Sequence, residues 1–295
     1  MCVGFWSLEH PDYALILCNN RDEFLARPTT DAHFHSFGKD TSGDGGTVLS
    51  GLDVTAGGTW LGMTRAGRIA LLTNITEPTP HVNSSRGHLV SSFLLSESSH
   101  PLEDEVGKIT PMDANYAGFN LLLLSPKSQE FETLSFDAAF VSNGGAGGLI
   151  TIRPLSVEER QRGGMSNGID GKGAQEWPKV RNGVELLSNI LHSDITETAL
   201  TESLFKLLTL RPPEPPRQRM ELRNAIHVEP FQVPGSNPAA YYGTRLSTVI
   251  LIRRDGRVLF VERDIWKLDK DGKPALSDPP TQREFRFHIS GRAPA

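Results

Sequence analysis

The chain has 295 residues and only two cysteines, Cys2 and Cys18. Two thiols cannot build the multi-bridge framework of a small secreted domain, and both fall in segments read as buried strands, so a reducing compartment is the simpler expectation. No apolar run approaches the length of a membrane span. Glu9, His10 and Asp12 interrupt the first apolar stretch, which also lacks the basic start of a signal peptide. A cytoplasmic protein, neither secreted nor transmembrane, is expected. Positive charge is not in excess either: the formal net charge is -5, and the basic run from Arg217 to Arg223 is broken by Glu and apolar residues. That excludes a binding stripe for nucleic acid.

Several chemical signatures are missing as well. There is no Gly-x-Ser-x-Gly elbow. The glycine cluster Gly144 to Gly148 has no strand-turn-helix context for holding phosphate, and Asp269 to Asp271 with Gly272 lacks the rest of a calcium loop. His33 and His35 flank Phe34 and could ligate a metal or haem iron, but no cysteine or carboxylate spacing supports a zinc site.

What is present is an ordinary globular composition, 38% hydrophobic and 22% charged, read as one domain over residues 1–295. Strands are expected over Cys2 to Ser7 and Tyr13 to Cys18 around the turn His10-Pro11-Asp12, the second running into the polar cluster Asn19 to Phe24. The glycine-rich stretch from Gly38 to Gly58 reads as loop. A hairpin follows over Thr59 to Thr64 and Arg68 to Ile75. Ser84 or Ser85 can cap a helix over Gly87 to Ser96, and a strand pair is expected at Gly118 to Leu124 and Glu130 to Phe136. Trp177-Pro178 opens a helix whose Val180, Val184, Leu187 and Leu191 share a face, and a second helix covers Glu197 to Leu208. Arg211 to Ala240 is Pro-rich and irregular, while Ser247 to Arg253, Val258 to Arg263 and Glu284 to Ile289 read as strands. Hairpins dominate and no βαβ alternation occurs, which points to an α+β fold of antiparallel sheets with helices on their outer faces.

Cys2 is the most informative position. Removal of the initiator methionine would give it a free α-amine, placing a nucleophile and a base a few bonds apart in one residue. A nearby Arg21 could lower the thiol pKa, and Asp22 could hold the amine. Asn74 ends an apolar strand and Asn167 lies in a short polar turn; either amide could donate to an oxyanion. Arg245 precedes a strong strand in Tyr242-Gly243-Thr244-Arg245. Each residue alone also reads as turn or surface chemistry.

The string Asn20-Arg21-Asp22-Glu23 resembles the signature of the NRDE family, also called the Transport and Golgi organization 2 family. The Met1-Cys2 start, Ser50-Gly51-Leu52-Asp53, Gly57-Gly58-Thr59-Trp60-Leu61-Gly62, Leu72-Thr73-Asn74, Gly118-Phe119-Asn120-Leu121, Ser166-Asn167-Gly168, Trp177-Pro178-Lys179 and Tyr242-Gly243-Thr244-Arg245 extend the resemblance over nearly the whole chain. That family is similar in turn to the cholylglycine hydrolase and acyl-transferase branch of the N-terminal nucleophile hydrolases. The resemblance implies a four-layer αββα sandwich with Cys2 as nucleophile, Arg21 and Asp22 as its supports, Asn74 and Asn167 at the oxyanion and Arg245 as second arginine. It implies attack on an amide, ester or thioester carbonyl with no cofactor required. It also implies an alternative: haem, acyl-CoA or lipid bound and carried, with links to Golgi organisation, secretion and mitochondria. Oligomeric state is not legible in the sequence.

Overall fold

Side chains along the first strands are buried on both faces and point alternately to two cores, and that alternation sets the layers. In the computed structural model, β1 (Val3–Ser7) pairs antiparallel with β2 (Tyr13–Phe24), Val3 opposite Asn20 and Ser7 opposite Ile16. Leu15 and Leu17 of β2 enter one apolar core while Ile16 and Cys18 enter another. A strand apolar on both faces must be covered on both, so β2 lies centrally. The structure describes the chain apart from residues 39–44, 78–81, 83, 98–100, 110–113, 128–132, 194, 213, 215, 217, 234–239, 280 and 290–295.

The chain next lays down the second sheet as a meander: β3 (Thr29–His35), β4 (Val48–Asp53), β5 (Leu61–Thr64), β6 (Ile69–Asn74), β7 (Phe119–Pro126), β8 (Phe136–Ser142) and β9 (Thr151–Pro154), neighbours in that order. Helices α1 (Gly87–Leu95) and α2 (Leu102–Ile109) intervene between β6 and β7. A short α3 (Val157–Gln161), closed by a Ser156–Glu159 capping box, leads to β10 (Gly163–Met165) beside β1. After α4 (Pro178–Leu191) and α5 (Glu197–Leu208), the first sheet is completed by β11 (Phe231–Gln232), β12 (Tyr241–Arg253), β13 (Arg257–Asp264) and, beyond the small ribbon of β14 (Trp266–Leu268) and β15 (Pro274–Leu276), β16 (Gln282–His288).

Three cores separate four layers. Leu17, Ile250 and Phe260 of the first sheet meet Leu49, Met63, Leu71 and Leu122 of the second. The outer face of the first sheet, through Phe5, Ile16 and Val249, packs on Leu187, Leu204 and Leu208 of α4 and α5. Ala70, Leu121 and Val141 of the second sheet pack on Leu89, Phe93 and Val106 of α1 and α2. This is the expected αββα arrangement of antiparallel sheets. The sheets close tightly beside the N-terminus because residue 4 is glycine: a Cβ there would stand 2.5 Å from Leu71 Cδ2.

Several elements differ from the sequence reading. β4 lies inside the glycine-rich stretch read as loop, because Val48 and Leu49 are held by pairing to β3 and β5 rather than by local pattern. β3, α2 and β9 were not anticipated. The N-cap of α1 is Arg86 with no side-chain cap bond, not Ser84 or Ser85. The strand expected over residues 130–136 instead begins at Phe136; its first three positions lie outside the described residues. Within the Pro-rich segment, a 3₁₀ turn at Arg219–Asn224 buries Leu222 against Met1.

Candidate active site

The polar end of β2 does not leave the sheet: Asn19 to Phe24 continue in the ladder, paired to β12 and in part to β1. Buried polar groups there need partners. Asn20 donates from Nδ2 to the carbonyls of Leu208 (2.8 Å) and Ile226 (2.9 Å) and accepts from Ser247 Oγ (2.6 Å), so it ties the end of α5 to the sheet. The alternation that sends Leu15 and Leu17 between the sheets puts Arg21 on the same side, its guanidinium carbon 3.8 Å from the Trp60 ring centroid. Asp22 turns to the helix side, where Oδ1 accepts from Thr244 Oγ1 at 2.7 Å.

Cys2 precedes β1, and its half-buried side chain lines a cleft of about 350 Å³ shared with Arg21, Asp22, Trp60, Asn74 and Arg86. Its Sγ lies 3.7 Å from the Asp22 carbonyl oxygen. Met1 occupies the helix side. Its ammonium is 3.3 Å from Asp22 Oδ2 and donates to Tyr242 Oη, its carbonyl accepts from Lys179 Nζ at 2.9 Å, and its side chain packs with Leu222, Ala225 and Val228. Tyr242 Oη donates in turn to the Asp22 carbonyl at 3.0 Å.

These contacts set opposing electrostatic demands. Burial pushes the Cys2 thiol up; the terminal ammonium and Arg21 pull it back, while Asp22 adds to the rise. Burial pulls the terminal amine down, opposed by Asp22 and Cys2 and reinforced by Lys179. Lys179 itself is lowered to about 8 by burial, against the attraction of Asp22 and Cys2. Burial, then the Asp22 charge, holds the Tyr242 phenol well above its ordinary value.

On the opposite wall, Asn74 ends β6 and lines the cleft. Asn167 donates from Nδ2 to the Asn74 carbonyl, so it braces Asn74 from behind. Its neighbour Ser166 donates to the Cys2 carbonyl at 2.7 Å, and the Ser166 carbonyl accepts from Thr73 Oγ1 (2.6 Å) and Asn120 Nδ2 (3.0 Å). Sequence motifs far apart along the chain therefore meet within one hydrogen-bonded patch. Arg245 stands at a shift of register between Thr244 and Leu246, where a bulge re-aims the side chain. It donates to the Arg27 carbonyl and, at 3.0 Å, to Thr29 Oγ1, which also accepts from Arg21 Nη1 at 3.1 Å. Arg245 thus supports the segment that carries Arg21.

Cys2, Arg21, Asp22 and Asn74 are gathered at the cleft, with Asn167 and Arg245 one contact behind. His33 Nδ1 is engaged with the Asp31 carbonyl and His35 Nε2 with Ser50 Oγ, both at 2.8 Å on β3. No group of three or more potential metal ligands occurs among the described residues. Lys179, Tyr242 and Ser166 were not singled out by the sequence reading; all three lie within its motif strings, which was the available signal.

A family model described as Transport and Golgi organisation 2 matches residues 1–267. A Transport and Golgi organization protein 2 homolog of Bos taurus is 30% identical over 308 residues, covering 98% of each chain. Among solved structures, the Caenorhabditis elegans ortholog of N-acylethanolamine-hydrolyzing acid amidase is similar with a TM-score of 0.49 at 11% identity, covering 85% of this chain and 92% of that one. A C2A mutant of the conjugated bile acid hydrolase of Clostridium perfringens gives 0.48 at 9% identity, covering 98% of both. The layered fold stands on its own strand order and cores.

Proposed function

The chain belongs to the Transport and Golgi organisation 2 family, and we propose that it is a cysteine amidohydrolase or acyl-transferase with Cys2 as nucleophile. The observation that carries this reading is the placing of the Cys2 thiol in a cleft with Arg21 and Asn74 while the carboxylate of Asp22 faces the chain terminus. Excision of the residue before Cys2 exposes its α-amine. The thiol sulfur then attacks the carbonyl carbon of an amide or thioester, and its proton passes to the amine. Collapse of the tetrahedral intermediate breaks the C–N or C–S bond, and the departing nitrogen or sulfur takes that proton. Water, or an acceptor nucleophile for transfer, attacks the enzyme thioester, gives its proton to the amine and releases the thiol.

Arg21 favours the thiolate, Asp22 orients the amine, and the Asn74 amide donates to the oxyanion while Asn167 holds Asn74 in place. One such donor supports roughly 3 kcal/mol of barrier lowering. No cofactor enters these steps. Turnover of amides and acyl thioesters, compared between the parent and Cys2→Ala, tests the reading: loss of turnover with an unchanged fold supports it, and turnover equal to the parent's removes Cys2 from the mechanism.

A carrier of haem or of an acyl-lipid is the second reading. One observation favours it: with Met1 in place the terminal amine is engaged by Asp22 and Tyr242, and the Cys2 nitrogen is an amide with no base to offer. Stoichiometric binding of haem or an acyl-CoA that raises the melting temperature, and survives Cys2→Ala, is its mark; no shift with either ligand counts against it.

A further inference from the structure

Lys179 occupies an expensive position. Its side chain is 1% exposed, it sits in the first turn of α4 directly after Pro178, and it makes no ion pair within 4.0 Å among the described residues. A cation in that turn opposes the partial positive charge of the helix N-terminus, and burying it without a carboxylate partner adds to the cost. An unbranched apolar side chain could fill the same volume. Packing alone therefore gives no reason for a charge here.

The acceptor of Lys179 is the residue that the proposed chemistry requires to leave. The Met1 carbonyl and the Cys2 nitrogen share one peptide group, so Nζ, 2.9 Å from the oxygen, lies within about 5.5 Å of that nitrogen by standard bond lengths. With Cys2 as terminus, the ammonium has lost its acceptor and confronts the new α-amine across the space Met1 occupied. The other charged or titratable groups around that amine are Asp22 on β2, Tyr242 on β12 and the Cys2 thiol, with Arg21 on the inter-sheet side. His227 and Glu23 act on this set from further out, as do Arg86 and Arg219.

We propose that Lys179 is the positioning residue for the proton transfer: with its positive charge held across the Met1 position, it keeps the Cys2 α-amine neutral and able to accept the thiol proton. One buried carboxylate offsets one cation. Protonating the amine as well would set two positive charges against one negative at close quarters. With Met1 in place, burial lowers both Lys179, to about 8, and the Met1 amine, and the Lys179 charge lowers that amine further. Neutralising Lys179 would release Asp22 to stabilise a charged amine, which cannot act as base.

The proposal rests on the catalytic reading of Cys2, yet its test can be separated from it. The full chain is prepared with Cys2 first, by cleaving an amino-terminal tag, so that methionine processing in the cell plays no part. Labelling cysteine with ¹³C gives two residues' signals: Cys2 Cα reports the amine, Cys2 Cβ the thiol, and Cys18 the integrity of the core. In Lys179→Met the amine midpoint should rise by at least one pH unit, a tenfold gain in proton affinity, and Lys179→Arg should restore it. An unchanged midpoint in Lys179→Met with native Cys18 signals overturns the proposal. Should that variant fail to fold, the parent still decides: an amine titrating at or above the ordinary ~7.7–8.0 overturns it, and one well below supports it. Retention of Met1 in the cell would instead strike the catalytic reading and leave this measurement standing.

Discussion

Asp22 meets Cys2 with its backbone and the chain terminus with its side chain: its carbonyl oxygen lies 3.7 Å from Cys2 Sγ, while Oδ2 lies 3.3 Å from the Met1 ammonium. Oδ2 makes no hydrogen bond among the described residues. A buried carboxylate oxygen left for a terminal ammonium is the main support for the amine at this position.

Asp22→Asn keeps the shape and removes the charge. Breaking a buried pair costs about 3 kcal/mol because the remaining charge is uncompensated. The Met1-bearing chain should therefore melt markedly lower. In a chain beginning with Cys2, labelling by an acyl probe at neutral pH should fall at least tenfold. Unchanged melting and labelling would show that Asp22 does not hold the terminus.

The cleft asparagine, Asn74, and the asparagine behind it, Asn167, should separate. Asn74→Ala should lower turnover by about 10²–10³ with little change in melting temperature. Asn167→Ala should lower both, since the Asn74 carbonyl loses its donor. Asn20→Ala should do the reverse of Asn74→Ala: the Leu208 and Ile226 carbonyls lose their donor, costing ~3 kcal/mol, with probe reactivity at Cys2 preserved. Denaturant unfolding beside single-turnover kinetics reads all three.

Alkylation should distinguish the two forms of the terminus. While Met1 remains, burial holds the Cys2 thiol up, so reaction with iodoacetamide should be slow near pH 7 and climb as pH rises. The Cys2-first chain should react at least tenfold faster at pH 7.5. Cys18, fully buried with its thiol pushed far up by burial, should stay silent in both, which peptide mapping can confirm. Equal rates for the two forms would contradict the idea that Met1 masks the nucleophile.

Acid should weaken the fold through His35, which is lowered to about 4 by burial and by His33 and sits in the β3–β4 pair. A group whose folded pKa lies below its unfolded 6.5 favours folding in its neutral form. Its contribution is present above pH 6.5 and is lost as pH falls toward 4. His35→Gln, which can still bond Ser50, should flatten the melting-temperature profile across that window; an unchanged slope would assign the acid sensitivity elsewhere.

How far the molecule could be read from its sequence depended on whether the signal was local. Helix α5 falls where Glu197 to Leu208 predicted it, and α4 opens at Pro178, because spacing and first-turn chemistry lie within the segment itself. β4 was hidden by surrounding glycines, since Val48 to Asp53 becomes a strand through its neighbours in the sheet. Arg21 and Asp22 were legible as a charged pair beside Cys2, but their division between opposite faces of β2 required the strand to continue through Phe24. The bulge at Arg245 and the Asn167–Asn74 brace arise from pairing across more than ninety residues of chain. Lys179 was legible only as part of the string Trp177-Pro178-Lys179, since its bond to the Met1 carbonyl joins opposite parts of the chain.

The central claim is that Cys2 is a free and activated terminal nucleophile. Its most direct test is the intact mass of the protein purified from a host with normal methionine processing, before and after treatment with a thiol-reactive acyl probe. The account predicts a mass lacking Met1 and one rapid adduct that disappears in Cys2→Ala. A chain that keeps Met1, or a Cys2 no faster than an ordinary thiol, would contradict it.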